Sequence, residues 1–367
     1  MSTFREMTAR LSTNRVRVRN AFFAGIGVLL FLDLIRRLVN GTLTPALLVG
    51  YLWNGLIYGL VIGLAGIGLS LTYDLLGFAN FAHGDYVSVA AFLGWGTTFL
   101  VAGFGEFGSL NLLFLGVGDT VFPADLGIGV FRTPIAILAG LLVSAVGGAA
   151  VALLFDRFVY RSMRESGAIS LLIASVGVAF TLRFSIAFLY TQSSFGLTAD
   201  AWKYELSLPG GTVNISAPEL LLALVSVLAM SGVYFLLTRT KLGKAMRAMS
   251  ANRDLARITG IPSERVVTAT WVIGGGLAGL AGFMIALFQT GINYQLGWTL
   301  LLLVFAGVIM GGIGSVYGAI VGGIVIGLVT RVSLVWIPAS FTEAMGFAIM
   351  IAVLLTRPAG IFGGDTL

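Results

Sequence analysis

The side chains of this chain that could do chemistry gather in two places. The first is residues 78–87, FANFAHGDYV, which hold Asn80, the single histidine His83, Gly84 and Asp85 between two apolar runs. The second is residues 239–265, RTKLGKAMRAMSANRDLARITGIPSER, which hold nine of the 38 formal charges. Catalysis needs convergent nucleophiles, bases or metal ligands, and neither cluster offers them. The chain has no cysteine and one histidine, and it carries no HExxH, G-x-S-x-G or paired-carboxylate signature. A lone histidine is not a metal site. The one Gly-Lys pair, Gly243-Lys244, is followed by Ala245 and lacks the upstream glycine of a phosphate-binding loop. No residue is therefore read as catalytic or metal-binding, the chain is not an enzyme, and any ATP and Mg²⁺ would be bound by another chain.

The elements that hold these clusters must live in a membrane. Hydrophobic residues make up 57% of the chain and charged ones 10%, against about 25% charged in soluble domains; mean hydropathy is +0.98. A lipid-spanning chain must satisfy its backbone internally, as helices or a closed barrel. The apolar runs here are continuous over about 20 residues, the length of a spanning helix. The expected fold is thus an all-α polytopic helical bundle of about 9–10 transmembrane helices. Ten candidate spans are read, at 20–38, 46–74, 85–104, 134–156, 168–190, 218–237, 266–288, 298–313, 316–337 and 338–356. The first is weakest, because its apolar run is short and Asp33, Arg36 and Arg37 follow; it reads as an anchor helix, or else as an interfacial amphipathic one. Residues 298–337 are too long for one helix and break at 311–315, Gly-Gly-Ile-Gly-Ser.

With an N-terminus inside, 16 of the 22 Lys and Arg fall in inner segments. That bias puts both termini in the cytoplasm and makes the net charge of +6 a topology signal, not a nucleic-acid footprint. Two Asn-x-Ser/Thr triplets, at Asn40 and Asn214, fall in outer segments, which agrees. The 50 glycines, about twice the usual share, are read mostly as close-packing positions between helices.

Each cluster has a bland and a functional reading. Residues 78–87 are either a simple inner turn with Asp85 at the start of the next helix, where its charge suits the dipole, or a fixed turn shaping a translocation path. The glycine break holding Gly311, Gly312 and Gly314 is either tight packing or a pair of half-helix ends offering backbone groups to a substrate. Arg183, deep in its span, either contacts a substrate carboxylate or snorkels to the headgroups; Asp74 and Asp156 are read as interfacial. The charged island cannot enter the bilayer. A short helix ended by Gly260 and Pro262 would present Arg253, Asp254 and Arg257 in water, with Ala256 small enough for close approach, as a docking lever; the alternative is a solvated loop that only sets topology.

Taken in order, NFAHGD, FDRFVYRSMR, GKAMRA with DLARITGIPSERV, VIGGGLAGLAG, VIMGGIGSVYGAIVGGIVIG and RPAGIFG resemble the branched-chain amino acid ABC-transporter permeases, most of all the H-type partner of the paired Liv permeases. The resemblance covers about residues 46–363. It implies an ABC-importer permease domain over 46–363 with a coupling loop at 239–265, preceded by an N-terminal cytoplasmic arm and extra anchor helix at 1–45. The implied partners are ABC ATPase subunits, a second related permease or a second copy, an extracytoplasmic substrate-binding protein and the lipid bilayer of the cell membrane. Such permeases commonly carry a coupling helix with Glu-Ala-Ala-x-x-x-Gly; the matching positions here are Asp254, Leu255, Ala256 and Gly260, so Asp replaces Glu and Leu replaces the first Ala. The chain also departs by its added first span and a longer outer insertion near 105–133. Related permeases for urea or short amides share these motifs. A secondary transporter or channel would need ionisable residues inside the membrane, for which only Arg183 and Asp33 stand out, and a scaffold without transport is the remaining rival.

Overall fold

The computed structural model describes residues 2–104, 122–200 and 202–363, with side chains from residue 19 onward. Much of the predicted outer insertion, 105–121 with Glu106, Asp119 and their neighbours, lies outside the described residues. The helices run α1 (Ser2–Val39), α2 (Pro45–Leu76), α3 (His83–Ala102), α4 (Pro134–Phe155), α5 (Ala168–Tyr190), α6 (Ala217–Arg239), α7 (Lys241–Ala251), α8 (Arg253–Ile258), α9 (Ser263–Phe288), α10 (Leu296–Gly311), α11 (Val316–Val332) and α12 (Thr342–Thr356). Two short antiparallel ribbons join β1 (Phe195–Gly196) to β4 (Gly291–Ile292) and β2 (Lys203–Leu208) to β3 (Gly211–Ser216). Among the described residues eight helices are long and apolar enough to cross a membrane, and α10 is a shorter apolar one. The chain is a polytopic helical membrane protein. One boundary differs from expectation: α1 continues as helix through the stretch read as an arm.

Local signals set the helix ends. Thr44 caps α2 by accepting from the Leu47 N–H at 3.2 Å, with Pro45 in the first turn, where its missing N–H does no harm. Gly77 stops the same helix in a left-handed conformation, φ 72°, which glycine adopts without strain. At α6, Ser216 and Glu219 form a reciprocal capping box.

Packing is centred on α2. Residues 57–72 are buried on every side, as expected of a helix apolar all round. α11 crosses it where Gly59 and Gly63 meet Gly323 and Gly327, and a Cβ on either of the latter would collide with the α2 backbone. α9 meets α4 in the same way at Gly148 and Gly275, where the Ser144 hydroxyl also donates to the Gly279 carbonyl at 2.7 Å. Between helices in lipid there is little hydrophobic drive, so such backbone approach supplies the cohesion. α4, α5, α6 and α12 keep apolar residues such as Leu142, Phe188, Leu228 and Ile351 exposed, which suits lipid or a neighbouring membrane subunit.

Segments read as sharing a side lie together. The ribbons, Thr44, Gly210, and Asp200 with Val130 occupy one end; the island, the Phe155 end of α4, the glycine break and residues 360–363 occupy the other. Asp33 is tied down as well: it pairs with Arg37 at 2.7 Å and accepts from the Trp336 indole at 2.9 Å. Asp33 is thus a paired and partly exposed carboxylate, its side chain 26% accessible, not a lone charge inside the bundle.

Gly327→Leu should lower the stability of the purified protein by about 3 kcal/mol, the upper range for overpacking, read as a fall in thermal midpoint. Gly232→Leu, whose added Cβ meets nothing within 4 Å, should leave it nearly unchanged.

Candidate functional site

After Gly77 the chain does not stay at the bundle end. His83 Nε2 lies 3.0 Å from the carbonyl oxygen of Ala65, eleven residues back along α2, or about 16 Å at helical rise. A carbonyl only accepts, so Nε2 carries the proton. The Phe81 N–H donates to the Ser175 hydroxyl in mid-α5 at 3.0 Å, and the Phe81 ring packs on Phe305 of α10. Asn80 Oδ1 accepts from the Ala82 N–H at 3.1 Å and from the Tyr160 hydroxyl at 3.5 Å. Residues 77–82 therefore re-enter the bundle, and α3 starts inside it. Asn80, His83 and Asp85 are fully buried, which overturns the simple inner turn at a water boundary. The fold-back is tolerated because neighbouring helices satisfy its polar groups.

Asp85 does sit in the first turn of α3, but its main partner is Arg183. The guanidinium donates twice, Nε to Oδ1 at 3.1 Å and Nη2 to Oδ2 at 2.9 Å, and stacks on Trp298 with 4.3 Å to the ring centroid. Arg183 is 7% exposed, so the snorkelling reading fails: α5 turns it inward, where a carboxylate and an aromatic face replace water. Beside the pair, the starts of α3 and α10 close on each other. A Cβ on Gly84 would lie 2.6 Å from the Gly297 carbonyl oxygen, and the Gly297 N–H donates to Ser88 Oγ at 2.9 Å. Tyr86 donates to Tyr160, which stacks face to face on Trp271 at 5.3 Å. The indole N–H of Trp271 and the amide nitrogen of Asn80 are buried without a protein acceptor.

The glycine break is not part of this assembly. Gly311 stands fourteen residues beyond Gly297 on α10, about 21 Å along the axis. Gly311 is pressed against Gly318, Gly312 against Gly363, and Gly314 against Asp74. The carbonyls of Met310 and Gly311 accept from the N–H groups of Ile361 and Phe362, both at 2.9 Å. Backbone groups that could have faced a substrate are thus taken up by the chain's own C-terminal segment.

The island folds as two helices at a turn. Thr240 caps α7 and Asn252 caps α8, the latter accepting from the Leu255 N–H at 2.9 Å. Gly260, at φ 86°, lets the chain reverse so that the Ile261 N–H reaches the Ala256 carbonyl at 3.1 Å. Asp254, Arg257 and Gly260 are exposed and Arg253 is half-buried. Ala256 departs from expectation: it is 4% exposed and faces inward, while Leu255 at 55% and Ile258 at 81% stand on the open face. Their spacing of three residues puts both on one side of the helix. The signal for this was available, since two large aliphatic residues in an otherwise charged aqueous segment call for a protein cover. Burial, then the neighbouring Arg257 and Arg164 charges, holds the Arg253 guanidinium below its usual range. Beneath the island Asp156 is buried: a π-turn over Asp156–Tyr160 follows α4, and Asp156 takes both oxygens to Arg164 at 2.7 and 2.9 Å. Arg164 also donates to Glu264 at 2.7 Å, joining α4 to the start of α9.

Comparison with known proteins adds a family to this geometry. Residues 51–354 match the model for the branched-chain amino acid transport system permease component. The high-affinity branched-chain amino acid transport system permease protein LivH of Salmonella typhimurium is 26% identical over 316 residues, 85% of this chain and 94% of that protein. BraD of Pseudomonas aeruginosa is 26% identical over 321 residues, covering 84% and 94%. The probable LivH of Methanocaldococcus jannaschii is 29% identical over 324 residues, covering 85% and 91%.

Asp85→Asn should strand the Arg183 charge inside the bundle and destabilise the protein by about 3–5 kcal/mol, seen as loss of monodisperse protein on size exclusion. The double change Asp85→Leu with Arg183→Leu should recover most of that loss.

Proposed function

The chain belongs to the branched-chain amino acid transport permease family, and from that premise we propose that it is the membrane subunit of an ATP-driven importer of branched-chain amino acids. ATPase subunits bind ATP and Mg²⁺ outside this chain and dock on the α7–α8 island. A second related permease, or a second copy, completes the membrane pair, and an extracytoplasmic binding protein delivers substrate at the ribbon end. In this reading both termini and the island are cytoplasmic.

The single observation that carries the reading is the exposed face of α8. Leu255 and Ile258 project beside Asp254 and Arg257, an apolar centre with charged flanks of the kind a protein partner covers. α8 is joined through α7 to α6 and directly to α9, so closure of the docked motors would tilt α6 and α9 together. α9 packs on α2, α3 and α4, and this passes the movement to the fold-back with Asn80, His83, Gly84 and Asp85. There the change in access takes place. Gly311, Gly312 and Gly314 act as a rigid joint, not as a substrate contact. Substrate choice rests largely with the binding protein.

Gentle purification should bring down an ATPase and a second permease; recovery of this chain alone, with substrate uptake driven by an ion gradient, would sink the proposal. Leu255→Asp with Ile258→Asp should abolish ATPase co-purification while the protein still inserts. Replacing Gly260 by Val strains a left-handed backbone by about 1–2 kcal/mol and should leave ATP hydrolysis running with uptake reduced at least about tenfold. Wild-type uptake in that variant would refute the lever.

A further inference from the structure

Two hollows meet at Glu264, and their chemistry is opposite. One is a cleft of 390 Å³ lined by Arg161, Arg164, Arg253 and Arg257 together with Glu264. The other is a groove of 520 Å³ walled by Leu236, Leu242, Ala269, Val272 and Ile273, with Glu264 and Arg265 at its rim. Glu264 belongs to both walls, so the cleft and the groove are adjoining parts of one surface.

Four arginines and three carboxylates, Glu165, Asp254 and Glu264, line the cleft, and two of the arginines are left without an ion pair. Glu264 is taken by Arg164 at 2.7 Å and Arg161 at 3.5 Å, and Asp156 by the other side of Arg164. Among the described residues Arg253 and Arg257 make no ion pair, although Asp254 and Glu165 also line the cleft; Arg257 reaches only the Ser263 hydroxyl, at 3.4 Å. The Nε–H groups of Arg164 and Arg253 are buried with no acceptor. These two atoms are closed to solvent, so the charge an anion in the cleft would answer is that of the guanidiniums of Arg253 and Arg257.

Position names the anion. The helices Pro134–Met163 and Ser263–Phe288 outlast their apolar runs, which end near residue 156 and begin near residue 266. Arg164 and Glu264 thus stand within about two turns beyond the apolar part of both helices, on the island's side, where headgroups lie. From Glu264 the groove descends α9 to Ile273, nine residues or about 13.5 Å, close to the half-thickness of a hydrocarbon core of about 30 Å. Val272 in its wall is 40% exposed.

We propose that this composite surface is a binding site for one anionic phospholipid of the leaflet on the island's side, with the phosphate in the arginine cleft and an acyl chain along the groove. A carboxylate from a docked protein would answer the cleft and leave the groove bare, whereas a phospholipid fills both. Basic pockets between helices at a membrane face are known to take such headgroups. Bound there, the lipid would brace α8 against α9. The site stands on the bundle alone; the transport reading adds only that the leaflet is the cytoplasmic one.

The test uses the full chain, delipidated in detergent and offered phosphatidylglycerol or phosphatidylcholine, with retained lipid counted by native mass spectrometry. Phosphatidylglycerol should be retained at least about fivefold better, the factor for the ~1 kcal/mol that one basic residue adds near a charged surface. Arg161→Gln, at a side chain 59% exposed and so safe for the fold, should remove about that factor, and Ala269→Trp should block the groove and lower retention with an unchanged thermal midpoint. Equal retention of the two lipids, or retention unaltered in both variants, would overturn the site. So would displacement by inorganic phosphate at the concentration where phosphatidylglycerol itself competes, since the groove would then contribute nothing. Loss of ATPase co-purification in Arg161→Gln with lipid retention intact would assign the cleft to a protein carboxylate instead.

Discussion

Hydrocarbon offers no partner to an N–H or a carbonyl, and this chain nevertheless places six non-helical residues, 77–82, inside its bundle. Most polar groups there are answered, and the answers from outside the segment come from α2, the turn after α4, and α5: Ser175 takes the Phe81 N–H, Tyr160 reaches Asn80, and Ala65 receives His83; the amide nitrogen of Asn80 is left without one. The same requirement explains the glycines around them. α2 can be wrapped closely enough to supply a carbonyl to His83 only because α9 and α11 approach it at Gly68, Gly274, Gly323 and Gly327. Close packing and re-entry are one solution: without the first, the second would leave gaps that water or lipid could not fill.

Charge is handled by pairing at every depth. Asp33 is shared by Arg36, Arg37 and Trp336; Asp85 is held by Arg183; Asp156 is held by Arg164. Each of these carboxylates has an arginine within 3 Å. Arg331 of α11 is the exception: among the described residues it makes no ion pair and lies over the rings of Tyr58 and Phe288, 4.8 and 5.9 Å from their centroids. Arg253 and Arg257, on the island, are likewise without an ion pair among the described residues.

The helices were legible because a span is a long apolar run and its ends are punctuated: Thr44-Pro45 opens α2, Ser216 with Glu219 opens α6, and the glycine break divides α10 from α11 where expected. The island was equally plain, since nine charges in 27 residues cannot enter lipid. What stayed hidden depended on distant partners. Arg183 and Asp85 are 98 positions apart, and nothing local distinguishes an arginine that snorkels from one that turns inward to a carboxylate. The inward turn of Ala256 had only one clue, the two large aliphatic residues Leu255 and Ile258 in a charged segment, because a six-residue helix has too little periodicity to show which side faces the bundle. The re-entry of 77–82 looked like a surface turn because polar residues beside a glycine read the same whether water or other helices satisfy them.

The contact between the C-terminal segment and the end of α10 bears on the order of assembly. The last carbonyls of that helix, at Met310 and Gly311, find their donors in Ile361 and Phe362, some fifty residues later in the chain. During synthesis these donors leave the ribosome some fifty residues after their acceptors, so the joint between α10 and α11 must wait open after its own helices have been made. Sealing the joint thus follows the making of α12, and a chain cut short before residue 361 would hold α10 and α11 yet lack the staple that fixes them to each other.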